Sequence, residues 1–223
     1  MNEFINGFLN LLLPPICPMC TAAVEDVQFC QTCLDSIKLI THPICFCCGT
    51  PYISQECEDH LCGECIKNKR PFSKARSIGI YEGFLLDVIH KFKYNGKTSL
   101  TKSLCKLITN GFNNDHNEIQ QTSISPLCNS YDLIVPVPLH RTRLKERGFN
   151  QSLLLAKGIA KIYNLPMDYL NLKRIRATTP QVKLKGKDRI KNVSGAFAVQ
   201  NGNAFKDKQV LLIDDVYTTG ATI

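Results

Sequence analysis

Ten of the chain's twelve cysteines fall before residue 66, and eight of these stand as four CxxC pairs: Cys17/Cys20, Cys30/Cys33, Cys45/Cys48 and Cys62/Cys65. Two thiolates three residues apart on a tight turn can both reach one ion at a Zn–S distance of about 2.3 Å, and two such turns complete a tetrahedron. Taken in order, the pairs read CxxC-x9-CxxC and CxxC-x13-CxxC, spacings suited to two structural zinc sites in ribbons. Cross-braced pairing (first with third, second with fourth), one zinc with spare thiols, an iron–sulfur cluster and redox-active thiols are the other readings. Cys47 and Cys57 are surplus, with Cys47 placed to replace either neighbour. His42 and His60 read as surface histidines, and Cys105 and Cys128 as inert thiols in apolar surroundings. Gly49 and Gly63 are expected to supply the unusual backbone angles of the knuckles.

A second constellation lies at the other end. The apolar run Val210-Leu211-Leu212-Ile213 stops at Asp214-Asp215, and Val216-Tyr217 leads into Thr218, Thr219, Gly220, Ala221 and Thr222. Consecutive backbone N–H groups in such a loop can cradle a phosphate, with glycine allowing close approach and hydroxyls adding donors. Two carboxylates beside the cradle suit the vicinal hydroxyls of a ribose. The bland alternative is an acid pair capping a helix, with threonines as turn filler. Basic residues cluster twice elsewhere: Arg141, Arg143, Lys145 and Arg147, and then Lys183, Lys185, Lys187, Arg189 and Lys191. The second set has period two, so an extended segment places it on one face. It reads either as a solvated charged edge or as a surface attracting polyphosphate or single-stranded DNA. Phe149 and Phe197 are the main aromatic candidates nearby, too few for base recognition.

Positioning these groups falls to two unlike halves. The 223 residues are 44% hydrophobic and 21% charged, with mean hydropathy −0.09. That composition excludes a disordered tail, a collagen-like repeat and a multispan membrane protein. A net charge of +8 favours anionic partners. The apolar stretch Phe4–Leu13 is too short to span a bilayer and lacks a basic flank and cleavage site, so it reads as a short amphipathic helix stopped by Pro14 in a cytoplasmic protein. In that compartment paired cysteines favour metal over disulfides. Lys67–Pro71 reads as a linker, giving a double zinc ribbon domain over 1–67 and a second domain over 68–223. In the second, strands are expected over Ala75–Tyr81, Asp132–Val137 and Val210–Ile213. Helices are expected from near Gly83 through Phe92, over Leu100–Phe112, and over Gln151–Tyr163 with Asn150 as cap; residues 113–130 form a loop. Alternating strands and helices predict an α/β fold whose parallel sheet gathers its site at the strands' carboxyl ends.

The stretch Val210–Thr222 resembles the signature of type I phosphoribosyltransferases. With it go Val135-Pro136-Val137-Pro138-Leu139-His140, Arg147-Gly148-Phe149-Asn150-Gln151, Thr179-Pro180-Gln181, Arg189-Ile190-Lys191-Asn192-Val193 and Ala196-Phe197. So do Tyr81-Glu82-Gly83 and Lys91-Phe92-Lys93-Tyr94; together with the cysteine pairs they resemble the ComF (competence protein F) family over nearly the whole chain. The resemblance implies a phosphoribosyltransferase-like parallel sheet with helices on both faces, behind a zinc-ribbon head. It implies that Asp214 and Asp215 bind the ribose of phosphoribosyl pyrophosphate (PRPP), and that Thr218, Thr219, Gly220, Ala221 and Thr222 bind its 5′-phosphate. Pro138, Leu139, His140 and Arg141 become the pyrophosphate loop, assisted by Arg147, and Thr179–Asn192 a flap. Mg2+ would bridge ligand oxygens through water rather than a protein cage. The resemblance also implies a helix and strand after the threonine loop. The chain ends at Ile223, so both are expected to be missing, along with that helix's support for the phosphate.

The function expected is that of a ComF-like protein of DNA uptake in natural transformation, binding Mg-PRPP and single-stranded DNA, with an uptake helicase or recombination protein as partner. Any reaction would displace pyrophosphate at the anomeric carbon, with preorganised donors stabilising the leaving group and no general base evident beyond His140. The alternatives are a biosynthetic or salvage phosphoribosyltransferase and a non-catalytic PRPP-sensing module. A glutamine-dependent amidotransferase is not expected, since a ribbon stands where a glutaminase domain with its amino-terminal nucleophilic cysteine would be.

Overall fold

The computed structural model describes residues 14–26, 28–54, 57–115, 130–178 and 192–217. Its elements follow from apolar periodicity and capping. Helix α3 (Gly83–Tyr94) buries Val88, Ile89 and Phe92, and ends at Asn95, whose N–H bonds the Lys91 carbonyl. Helix α4 (Leu100–Asp115) runs three residues beyond the expected span. Strand β1 (Leu133–Pro136) is buried at every position, as a strand covered on both faces must be. Helix α6 (Gln151–Tyr163) begins where Asn150 Oδ1 accepts from the Ser152 and Leu153 N–H groups, at 3.0 and 3.4 Å. Strand β4 (Val210–Ile213) pairs in parallel with β1, from Leu133 opposite Val210 to Pro136 opposite Ile213. On the other side of β1, Ile134 makes a parallel bridge to Met167. The parallel sheet with its helices, behind a cysteine-rich head, matches the expected fold class.

Helix α6 lies on β1 and β4, with α4 over α6 and α3 beside α4. Close approach of α4 and α6 depends on Gly158: a Cβ there would stand 2.4 Å from Cys105 Sγ. The structure adds elements the pattern did not indicate: short helices α1 (Gln31–Asp35) and α2 (Gly63–Lys67) in the cysteine block, α5 (Arg141–Arg147), and an antiparallel hairpin of β2 (Leu172–Arg174) with β3 (Phe197–Val199). It also corrects the expected strand over Ala75–Tyr81. That segment makes one bridge, Gly79 to Leu39, flanked by bonds from Ile40 N to Ile78 O and from Ile80 N to Lys38 O. It is extended because it serves as an edge for the cysteine-rich block rather than as a member of the sheet.

That block does not stand apart. Cys17, Phe29 and Cys33 belong to the same buried cluster as Val88, Phe92, Ile134 and Ile159. Phe29 meets Phe84 edge to face at 5.7 Å, Lys97 Nζ donates to the Pro18 carbonyl at 2.7 Å, and Lys102 and Lys106 both reach Asp26. No helix among the described residues is long and apolar enough to cross a membrane.

Candidate functional site

The eight paired cysteines form two groups, Cys17/Cys20/Cys30/Cys33 and Cys45/Cys48/Cys62/Cys65, each with its sulfurs within 4.8 Å of one another. Sequential pairing is therefore the arrangement adopted. A regular ZnS4 tetrahedron with bonds of about 2.3 Å has S–S edges of about 3.8 Å. The observed separations are 3.8 Å for Cys17–Cys33, 3.4 Å for Cys20–Cys30 and 3.7 Å for Cys48–Cys62, far beyond a disulfide bond. Burial raises the Cys17 thiol's pKa, but the N–H groups of Cys20, Cys30 and Met19 outweigh it and lower the value to about 6. Cys45 is likewise brought to about 6, where the N–H groups of Cys62, Cys48 and Cys47 overcome burial. With four sulfurs gathered at each site and no other ligand type among them, both groups fit zinc. Cys47 and Cys57 stay outside them. His42 pairs with Asp59 at 2.8 Å, and His60 stacks on Tyr52, so neither is a ligand of these groups. Gly49 has the expected left-handed backbone, with φ +69°. Gly63 does not; it opens α2. Cys105 is buried, which pushes its thiol up to about 11.

The acid pair emerges at the carboxyl end of β4, facing the start of α6. Ser152 Oγ donates to Asp214 Oδ1 at 2.9 Å, and the same oxygen accepts from Asp215 N. Asp215 Oδ2 lies 2.5 Å from Lys93 Nζ on α3, in a pair whose side chains are 3% and 16% exposed, and Gln151 Nε2 donates to Asp215 Oδ1 at 3.4 Å. Gln151 in turn accepts from Arg147 Nη1 at 2.5 Å, and the Arg147 guanidinium stands 5.3 Å from the centre of the Tyr94 ring. Burial, then the neighbouring Asp215 charge, raises the Asp214 carboxyl to about 7, against the opposing pull of Ser152. Arg174 on β2 stacks over Phe197 and feels the Asp214 carboxylate; burial nevertheless lowers its pKa.

The structure joins Asp214, Asp215 and Arg147 in one network through Gln151. His140 is spent on local structure: its Nδ1 accepts from Thr142 N at 3.3 Å and caps α5, while Arg141 begins that helix. Thr218, Thr219, Gly220, Ala221 and Thr222 lie outside the described residues, as do Lys183, Lys185, Lys187, Arg189, Lys191 and Cys128. The flanks of the expected flap are tied by Arg176, whose Nη2 donates to the carbonyls of Asn192 and Ser194. Sequence reasoning did not assign Lys93, Ser152 or Arg174 to the site. Lys93 and Gln151 do stand inside motifs quoted above, the one signal available for them.

A family model for the double zinc ribbon domain matches residues 8–66. The chain is 31% identical over 197 residues to Competence protein F of Haemophilus influenzae, an alignment covering 87% of this chain and 80% of that protein. It is 28% identical over 204 residues to Competence protein ComFC of Bacillus subtilis, covering 89% and 75% respectively. Against DNA utilization protein YhgH of Escherichia coli the figure is 27% over 216 residues, covering 96% and 89%. No solved structure matches the chain.

Proposed function

The chain belongs to the competence protein F family, and from that premise we propose that it serves DNA uptake or utilization by binding a phosphate ester with a vicinal diol, Mg-PRPP, at the carboxyl end of β4. The observation carrying this reading is the Asp214–Asp215 pair at the end of a buried parallel strand, hydrogen-bonded to the start of α6 and neutralised by Lys93. Carboxylates there accept from ribose hydroxyls, as acidic residues do in other α/β nucleotide sites. The stretch from Thr218 to Thr222 takes the 5′-phosphate. Pro138 to Arg141, with Arg147, lies toward the pyrophosphate, and Mg2+ joins ligand oxygens through water. Lys183, Lys185, Lys187, Arg189 and Lys191 supply an electrostatic surface for single-stranded DNA.

Binding without group transfer is the version favoured by His140, which is committed to capping α5 and so is not poised as a base. Residues 1–67 act as a head that organises the remaining domain, and a DNA-processing protein is the partner class. Calorimetric titration of Mg-PRPP, with an Asp214→Asn/Asp215→Asn control, tests the site. Salt-dependent binding of an oligothymidylate tests the DNA surface: neutralising the five basic residues is expected to flatten the salt slope, and an unchanged slope argues against it. Pyrophosphate release with a panel of acceptors would replace the binding reading with a salvage or biosynthetic transferase.

A further inference from the structure

The two four-cysteine groups are docked differently. The first shares the main buried cluster with the helices. The second touches the segment around Phe72, and that segment touches the backbone leaving the acid pair. Cys47 Sγ lies 3.9 Å from the Phe72 carbonyl oxygen, and Ala75 N donates to the Cys47 carbonyl at 2.7 Å. Arg76 Nη1 reaches the Phe46 carbonyl at 3.2 Å. Gly49, φ +69°, is pressed so close that a Cβ would stand 2.6 Å from Ala75 O. On the far side the Phe72 ring meets the Tyr217 ring edge to face at 6.4 Å and 83°. Cys48, Phe72, Asp215 and Tyr217 all line one cavity of about 940 Å³, so the knuckle and the end of β4 border the same space.

We propose that the second knuckle braces the backbone that leaves Asp214 and Asp215, with Phe72 as the positioning residue between them. Metal held by Cys45, Cys48, Cys62 and Cys65 and a ligand at the acid pair then stabilise each other. The ligand half of this inference rests on the functional reading above. The contacts explain the arrangement physically. A knuckle is rigid only while its four sulfurs are tied together, and an aromatic edge contact transmits that rigidity to Tyr217. Coupling between two sites is reciprocal: whatever factor metal adds to ligand affinity, ligand adds to metal affinity.

The test uses the full zinc-loaded chain and follows release of its two zinc equivalents into excess chromogenic chelator. Phe72→Ala is expected to accelerate one equivalent about fivefold or more, within the usual range of coupling. Phe72→Tyr, which keeps the ring, restores the slower release. Phe84→Ala, which removes the ring beside Phe29, accelerates the other equivalent instead. Mg-PRPP slows the Phe72-sensitive phase in the parent chain and not in Phe72→Ala. Should the alanine variant not fold, Phe72→Leu removes the ring edge while keeping apolar bulk. Unchanged phases, equal acceleration of both, or Mg-PRPP that binds by calorimetry without slowing either phase would overturn the brace. Failure of the parent chain to bind Mg-PRPP at all defeats the functional reading instead, and the effect of Phe72→Ala on release then decides the brace alone.

Discussion

Two adjacent carboxylates repel a phosphate ester unless their charge is compensated, and Asp214 and Asp215 are compensated in different ways. Asp215 has the Lys93 ammonium at 2.5 Å. Asp214 is buried, with its pKa raised to about 7, so near neutrality it still carries a proton part of the time. An acid whose native pKa lies above its unfolded value stabilises the fold while both states are protonated. That contribution is lost as pH rises from about 4 to about 7, at up to about 1.4 kcal/mol per pH unit. Asp214→Asn is therefore expected to flatten this part of the stability–pH profile and to raise the urea midpoint at pH 8 relative to the parent, a difference that identical zinc sites leave untouched. Lys93→Met should cost about 3 kcal/mol, because it strands a carboxylate whose side chain is 3% exposed. Lys93→Met/Asp215→Asn should regain most of that in chemical denaturation. If the double variant is as unstable as the single, Lys93 acts through packing rather than charge.

At the scale of elements, the helix layer depends on a missing side chain. Gly158→Ala would gain about 1 kcal/mol in helix propensity, but its Cβ would stand 2.4 Å from Cys105 Sγ. Overpacking of that kind costs about 1–3 kcal/mol, so a lowered melting temperature is expected. In a Cys105→Ala background the same change should become neutral or stabilising; equal losses in both backgrounds would rule out the clash. The elements set by strong local patterns were legible: Gln151–Tyr163 from its apolar stripe and Asn150 cap, Val210–Ile213 from its unbroken apolar run. Helix α5 was not, because five of its seven residues are charged and its one apolar residue, Leu144, is 42% exposed. The three-residue strands β2 and β3 are too short for a period to register. The cysteine groups and the acid pair declared themselves through short-range spacing. Lys93 and Ser152 join the site only because the fold brings α3 and α6 to the carboxyl end of β4, and no local pattern records that. Pairing of the cysteines also needed the fold, since the spacing alone permits cross-bracing.

Across the whole molecule, the cysteine-rich head and the helix layer share a core, because Cys17 and Cys33 are buried with Val88, Phe92 and Ile134. Removing zinc should accordingly lower the midpoint of helix melting seen by far-ultraviolet circular dichroism, in a single transition with the head. An unchanged helix midpoint after full chelation would mean that the two parts fold independently. The net charge of +8 is expected to make anion association weaken with salt. At the acid pair this attraction is balanced locally, Asp215 by Lys93 and Asp214 by its raised pKa of about 7. The most direct test is calorimetric titration of Mg-PRPP into the zinc-loaded chain beside its Asp214→Asn/Asp215→Asn variant. Saturable binding that the double variant loses, while melting as cooperatively as the parent, is the predicted result. No binding by a folded, zinc-loaded parent, or equal binding by both proteins, would contradict the assignment of the end of β4 as the ligand site.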